Sequence, residues 1–206
     1  MACSHFEILV EEQSAAAALE ALLPKLLEGR ATFRIHPFQG KPDLLGKLEA
    51  RLRGYASWLS ADACVVVLVD RDDGDCLGLK RQLNEAAERA GLRLRSGAGD
   101  RRVSMVINRI AVEELEAWFF GDVGALVAAY PGVPETLDRR AKYRNPDAIA
   151  GGTWEALERV LQEAGHHGGG LAKVRAARDI AAHMDPGRNR SRSFQVFRDA
   201  IVACLG

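Results

Sequence analysis

The sequence lacks an excess of charge of either sign, and it lacks long apolar runs. Its 28 basic and 28 acidic side chains cancel to a formal net charge of zero. A neutral chain has no general attraction to nucleic acid or to an anionic membrane, so any site for a polyanion has to be local. No apolar run approaches the roughly 20 residues that span a bilayer, and the N-terminus shows no signal-like pattern. We therefore expect a cytoplasmic protein that makes no contact with a membrane.

Cysteine is scarce. The four residues Cys3, Cys64, Cys76 and Cys204 show neither close pairing nor the spacing of a zinc motif. Cys64 also lies inside an apolar run that reads as a central strand. Reduced thiols in a cytoplasmic protein are therefore the better interpretation, and we expect no disulfide bond.

Several common catalytic motifs are missing as well. The sequence contains no glycine-rich P-loop, no Gly-x-Gly-x-x-Gly fingerprint and no serine-nucleophile elbow. Each of these motifs serves one chemistry, namely phosphate cradling, dinucleotide binding or acyl transfer. Their absence argues against a P-loop kinase, a dinucleotide-dependent dehydrogenase and a hydrolase of the elbow type.

The first half of the chain alternates strands with helices. Apolar runs predict strands over residues 6–10, 32–37, 64–69 and 102–107, with leucine-rich or alanine-rich helical spacing between them. The third run shows no polar alternation and is rich in valine, which is typical of a strand buried on both faces of a parallel sheet. This order predicts an α/β fold with a mostly parallel four-stranded sheet, right-handed crossovers and helices on its flanks.

The second half of the chain shows no convincing strand. Helical patterns lie near residues 147–162, 171–183 and 194–205, with glycine-rich breaks between them. We predict an α/β domain over residues 1–130 and a helical C-terminal extension over residues 131–206 that packs on it. A chain of 206 residues can bury about 70% of its unfolded surface, so a substantial core is expected.

A fourth helix is predicted to begin near Ala111. At 100° per residue its apolar positions form one arc, and Glu116 falls inside that arc. Because an unpaired buried carboxylate is costly, Glu116 should face a cation, a hydrogen-bond donor or a metal. The alternative is a salt bridge at the rim of the sheet.

Acidic residues follow two of the predicted strands. The first strand ends in Glu11 and Glu12, and the third ends in Asp70, Arg71 and Asp72. Ligands of parallel sheets bind beyond the carboxyl ends of the strands, so these groups should share one crevice. Carboxylates without accompanying histidine or cysteine suit Mg²⁺ or Mn²⁺ better than zinc.

The expected metal ligands are therefore Glu11, Asp70 and Asp72, and Glu116 is a further candidate in catalysis. The competing interpretation is that residues 72–75 form an ordinary Asp/Gly turn and that Glu12 or Asp75 only caps a helix. For Asp73 and Asp75 we favour this second interpretation.

Basic residues near these carboxylates are candidates for contacts with phosphate. Lys41 stands in a Gly-Lys-Pro turn after the second strand, from which it can reach the crevice, although a surface lysine is the alternative. Further candidates for nucleic-acid contact are Arg71, Lys142, Arg144 and Arg190, the last three within the only local cationic stretches. Charge runs are more often solvated loops, and so few contacts predict weak binding of nucleic acid by the chain alone.

Five segments together resemble the uncharacterised bacterial domain-of-unknown-function family 4276. They are Leu-Val-Glu-Glu-Gln-Ser at 9–14, Gln-Gly-Lys-Pro-Asp-Leu-Leu at 39–45, Val-Asp-Arg-Asp at 69–72, Glu-Leu-Glu-Ala-Trp at 114–118 and Asn-Arg-Ser-Arg-Ser-Phe at 189–194. A strand ending in Glu followed by a strand ending in Asp-x-Asp also looks like the Toprim fold of topoisomerases, primases and overcoming-lysogenization-defect nucleases.

The resemblance implies a Toprim-like metal centre at Glu11, Asp70 and Asp72, and a genomic association with ATPases in mobile or phage-defence loci. One position departs from the Toprim pattern, because glycine often follows the first Glu and this chain has Glu12 there. The leading hypothesis is a Mg²⁺-dependent nuclease acting on DNA or RNA. The alternatives are a non-catalytic partner of an ATPase and a phosphoacceptor receiver domain, although the latter's lysine after a fifth strand is missing.

Overall fold

The computed structural model describes residues 2–72, 74–94 and 106–206. At its centre lies a sheet of four parallel strands in the spatial order β2-β1-β3-β4. The strands are β1 (His5–Val10), β2 (Thr32–Pro37), β3 (Ala63–Asp70) and β4 (Val106–Ala111). The predicted α/β class with a parallel four-stranded sheet is confirmed.

Eight α-helices surround the sheet in the described part of the chain. They are α1 (Gln13–Leu27), α2 (Lys41–Trp58), α3 (Cys76–Arg89), α4 (Glu116–Gly121), α5 (Val123–Ala129), α6 (Thr153–Glu163), α7 (Lys173–His183) and α8 (Arg192–Val202). The region between α5 and α6 holds three short 3-10 turns. The helical C-terminal half is thus confirmed. None of the helices that the structure describes combines the length and the apolar character needed to cross a bilayer.

The two faces of the sheet carry separate apolar clusters. Helices α2 and α3 cover one face, on which Leu9, Val65 and Val67 lie. Helices α1 and α4 to α8 cover the other face, on which Ile8 and Val66 lie. Alternate side chains of β3 therefore enter opposite clusters, which confirms that this strand is buried on both faces.

The predicted boundary between the fourth strand and the fourth helix is wrong. Ala111 ends β4, where it pairs with Asp70 of β3, and α4 begins only at Glu116. The β-branched residues of Val106–Ala111 pack into the sheet, and Glu113 has a φ of 62° that no helix can contain. Residues 102–105 of the predicted strand lie outside the described residues.

The segment at residues 189–194 holds α4 against α8. The indole Nε1 of Trp118 donates to the hydroxyl of Ser193 at 2.9 Å, and the amide of Asn189 donates to the carbonyl of Trp118 at 2.7 Å. A Cβ atom on Gly121 would clash with Oδ1 of Asn189, so glycine is needed for this close approach. The segment therefore joins two helices on one face of the sheet.

Candidate acidic site

The first two predicted ligands meet because β1 and β3 are neighbours and end at the same edge. Oε1 of Glu11 accepts a hydrogen bond from the backbone N–H of Asp70 at 2.8 Å. Glu11 retains only 9% of its accessible surface. The loop after β2 closes over it, since the N–H of Gly40 donates to the carbonyl of Glu11 at 2.8 Å. A buried carboxylate thus sits beside a second one at the strand ends.

Burial and mutual repulsion disfavour ionisation of these carboxylates. Burial raises the pKa of Glu11 to about 7, with Asp72 and Glu12 adding to the shift, while the N–H of Asp70 and the charge of Lys41 oppose it. The pKa of Asp70 is raised well above its ordinary value, first by burial and then by Glu11, Glu116 and other acidic neighbours. Without a cation the site therefore tends to retain protons.

Glu116 belongs to the same acidic group. It begins α4, is only 4% exposed, and burial raises its pKa to about 7. The charge of Lys173 lowers that pKa, as does a hydrogen bond from the backbone of Glu116 itself, while Glu114 and Glu12 raise it. The charge of Glu116 also contributes to the raised pKa of Asp70.

Asp72 is paired with a lysine. Nζ of Lys41 lies 2.6 Å from Oδ2 of Asp72 and 3.9 Å from Oε1 of Glu11. Lys41 begins α2 immediately after Gly40, whose φ of 95° allows the sharp entry into the helix. The structure thus places Lys41 in the crevice between two of the predicted ligands.

Two residues beside this crevice hold unusual backbone conformations. Asp72 has a φ of 51° and Glu113 a φ of 62°, both in the left-handed region. The N–H of Asp72 donates to the carbonyl of Glu113 at 2.8 Å, so the loops after β3 and β4 hold each other. Left-handed non-glycine residues cost free energy and cluster at functional sites.

The three predicted metal ligands do not yet converge on one point. Among the described residues, Cys3, Cys64 and Cys204 bring three potential ligand atoms within 4.8 Å of one another, and no set of three carboxylates does so. Asp72 is instead directed toward Lys41, and its side chain is 55% exposed. An exposed side chain can rotate at small cost, whereas Glu11 is fixed by the N–H of Asp70.

An open groove of about 950 Å³ adjoins the acidic residues. Asp72, Glu113 and Glu114 line one part of it, and the loop 148–152 lines another. Arg71, also in the lining, forms an ion pair with Glu113. Glu114 accepts hydrogen bonds from the backbone N–H groups of Thr153 and Trp154, each at 2.9 Å, and so caps α6.

Glu113 and Glu114 are not among the functional residues predicted from the sequence. The Glu-Glu-Leu-Glu run was the available signal, but a continuous helix from Ala111 would have spread these side chains around its surface. The turn before α4 instead directs Glu113 to Arg71 and Glu114 to α6. Asp75 caps α3, as the second interpretation of that turn predicts, and Asp73 lies outside the described residues.

The predicted cations of the second half lie on exposed surface. Arg190 is 3.4 Å from a carboxylate oxygen of Asp138, which brings the two cationic stretches of the sequence together. The ammonium of Lys142 lies over the ring of Tyr143 at 5.6 Å from its centroid, and Arg144 is exposed. None of these three lines the groove beside Asp72.

The structure also gathers three cysteines that are far apart in the sequence. Sγ of Cys3 and Sγ of Cys64 are 2.7 Å apart, and Cys204 completes the group beneath the N-terminal end of β1. Sequence spacing could not show this cluster, because its members come from the start, middle and end of the chain. Cys76 begins α3 and is separate from it.

Comparison with known proteins gives one match. The model of the family described as "Domain of unknown function (DUF4276)" matches residues 10–201. That range contains every acidic residue discussed above and the interlocked helices α4 and α8. No curated protein and no solved structure matches the chain. Because the family model covers nearly the whole sequence, the chain belongs to the DUF4276 family.

Proposed function

We propose that the chain is a Mg²⁺- or Mn²⁺-dependent phosphodiester hydrolase that acts on DNA or RNA in the cytoplasm. One observation carries the proposal: Glu11 and Asp70 meet at the ends of neighbouring strands, and burial raises the pKa values of both and of Glu116. Carboxylates brought together at such electrostatic cost are best compensated by a divalent cation. The adjoining groove gives a polymeric substrate access.

The donor set fits a hard divalent ion. Glu11 and Asp70 would hold it, and Asp72 would join them once its ion pair with Lys41 is broken. All three residues offer only carboxylate oxygen, which Mg²⁺ and Mn²⁺ prefer. Such an ion supplies Lewis-acid activation of water and neutralises charge on the phosphate. The raised pKa of Glu11 means that ion binding would release a proton near neutral pH.

Lys41 can exchange one anionic partner for another. Its ammonium bridges Asp72 and Glu11 in this structure, so a substrate phosphate oxygen can replace the carboxylate of Asp72 without leaving the charge of Lys41 unpaired. In this mechanism Lys41 orients the phosphate and offsets its charge. Arg71, whose guanidinium pairs with Glu113 at the groove, is the second cation within reach of the substrate backbone.

Glu116 is suited to move a proton. Its pKa of about 7 lies near the working pH, where a general base is most effective. We assign it the acceptance of a proton from the attacking water, with Lys173 stabilising the ionised form. The leaving oxygen of the cleaved strand takes a proton from solvent in the open groove.

The test is cleavage of labelled single-stranded and duplex DNA and of RNA, in Mg²⁺ or Mn²⁺. Wild type should cleave at least one of them, and Asp70→Asn should lose that activity. The matched control is Glu20→Gln, which changes an exposed carboxylate on α1 outside the site. Equal activity of Asp70→Asn and wild type would overturn the assigned centre. A wild type that cleaves nothing would favour the alternative, a non-catalytic partner of an ATPase.

A further inference from the structure

A second polar pocket lies on the other side of the β1–β2 pair from the C-terminal helices. It has a volume of about 530 Å³ and lies between strand β2 and the C-terminal half of α2. Its lining includes Glu7, Arg34, His36, Arg51, Tyr55 and Trp58. These residues are separate from the acidic site, and nothing in the mechanism above uses them.

The inner wall of the pocket is a fixed hydrogen-bond network around Glu7. This carboxylate is only 4% exposed and accepts hydrogen bonds from the hydroxyl of Tyr55 at 3.0 Å and from Nε2 of His36. Arg51 donates to Nδ1 of His36 at 2.9 Å. Since arginine is only a donor, Nε2 of His36 carries the proton that Glu7 accepts. Side chains of the protein itself thus compensate the negative charge of Glu7.

The rim of the pocket is cationic and aromatic. The guanidinium of Arg51 lies over the ring of Tyr55, 5.4 Å from its centroid, and Arg34 projects from the edge strand β2 as an exposed side chain. Trp58 is 63% exposed, and its ring lies 5.5 Å from that of Tyr55. Gly54 lies one turn before Trp58. A Cβ atom added to Gly54 would have no neighbouring atom within 4 Å, so the space beside this glycine is open.

These groups match one class of ligand. Two guanidinium groups suit phosphate, and a solvated indole offers a face on which a base can stack. A paired base already has stacking neighbours on both faces, so an unpaired base gains most from this surface. Because the whole chain is neutral, binding of a polyanion would depend on a local cationic group of this kind.

We propose that this pocket binds an unpaired nucleotide of a nucleic acid strand, with the base on Trp58 and the phosphate between Arg34 and Arg51. The inference rests on the proposed function and narrows its substrate to single strands or single-stranded ends. Helix α2 links the two sites, since it begins at Lys41 and ends at Trp58. Its 18 residues span about 27 Å, which a strand of several nucleotides can follow.

The test measures binding without metal, by anisotropy of a labelled 12-nucleotide single strand and of its duplex in EDTA. Trp58→Ala should weaken binding of the single strand by about 5- to 150-fold, and Trp58→Phe should restore most of it. Arg34→Gln should lower the slope of log K against log salt by about 0.7, as expected for the loss of one phosphate contact. Duplex binding should be weaker than single-strand binding in wild type.

Matched controls keep the test specific. Leu77→Ala removes another exposed apolar side chain, 70% exposed on α3, and Arg53→Gln removes a guanidinium from α2 that is paired with Glu49. Both should bind like wild type. Unchanged affinity of Trp58→Ala and Arg34→Gln, or equal affinity of wild type for single strand and duplex, would overturn the proposal.

The two proposals fail in different ways. A wild type that binds single strands through Trp58 but never cleaves them refutes the hydrolase and retains the pocket. A wild type that cleaves, with Trp58→Ala binding and cleaving equally well, refutes the pocket and retains the hydrolase.

Discussion

Oε1 of Glu11 and the backbone N–H of Asp70 are joined by a hydrogen bond of 2.8 Å that links the ends of two neighbouring strands. The bond fixes the Glu11 side chain at the edge of the sheet. It also lowers the pKa of Glu11, which burial raises, and so stabilises the ionised form. The same Oε1 lies 3.9 Å from Nζ of Lys41. In a metal site built on this pair, Asp72 would have to leave its ion pair with Lys41.

The first prediction concerns Mg²⁺ and thermal stability. At about 10 mM Mg²⁺ and a Kd of about 1 mM, binding to the native state should add about 1.4 kcal/mol to the free energy of unfolding. For a chain of this size the melting temperature should rise by about 3 to 6 °C. Asp70→Asn should lose this response and melt slightly higher than wild type in EDTA, because it removes a carboxyl group whose ionisation is disfavoured by burial and by its acidic neighbours. A wild type that is indifferent to both Mg²⁺ and Mn²⁺ would contradict the metal centre.

The second prediction is a fall in metal-free stability as pH rises. The pKa values of Glu11 and Glu116 are raised to about 7 in the folded chain from 4.5, so the native state binds more protons than the unfolded state between these values. The stabilisation is fully present below about pH 4.5 and is lost as pH rises through about 7, with a shift of this size worth about 3 kcal/mol per group.

Urea unfolding at pH 5 and pH 8 in EDTA measures this fall. Glu11→Gln and Glu116→Gln should each reduce the difference between the two pH values, while Glu20→Gln should leave it unchanged. Histidines contribute equally in all four proteins, so comparison between them isolates the carboxylates. Equal pH dependence of wild type and Glu116→Gln would show that this carboxyl titrates normally in the folded chain.

The third prediction distinguishes the role of Lys41 from that of Lys47, the other lysine of its helix. Lys41→Met should raise KM for the nucleic acid more than it lowers kcat, since the ammonium binds phosphate before the reaction. It should also move the acidic limb of the pH profile upward, because the charge of Lys41 lowers the pKa of Glu11. Lys47→Met, which changes an exposed lysine paired with Asp43 on the same helix, is the control. Identical kinetics for the two variants would show that Lys41 does not bind the substrate phosphate and is only a surface lysine.

The fourth prediction tests the contact between α4 and α8. Gly121→Ala should destabilise the fold by about 2 kcal/mol or more, because its methyl group would displace Asn189 from the carbonyl of Trp118. Gly46→Ala, at a helical glycine with nothing within 4 Å, should instead stabilise the fold by about 0.5 to 1 kcal/mol. Chemical denaturation of both variants gives the comparison. A stable Gly121→Ala protein would show that the contact tolerates a shift.

Much of the fold could be predicted because the first half has strong local signals. The valine run of β3 and the acidic residues that follow it are sufficient to place Asp70 at a strand end, and the same logic places Glu11. The start of α4 could not be predicted from the sequence. The residues from Ala111 to Glu116 fit helical spacing, but Ala111 pairs with β3 and therefore belongs to a strand.

The details of the site depend on long-range contacts that local pattern does not contain. The ion pair of Asp72 with Lys41 joins residues 31 positions apart, and the cap that Glu114 gives to Thr153 joins residues 39 apart. The pocket near Trp58 was missed for the same reason, since Glu7 and Tyr55 are 48 positions apart in the sequence. Such partners become neighbours only after the chain has folded.

Glu114 and Glu116 are separated by a single residue, yet one is clamped to the first turn of α6 and the other belongs to the acidic site. Leu115 between them is buried, so this short segment of backbone is held in place by packing. The hydrogen bonds that Glu114 accepts therefore tie the backbone that carries Glu116 to the first turn of α6.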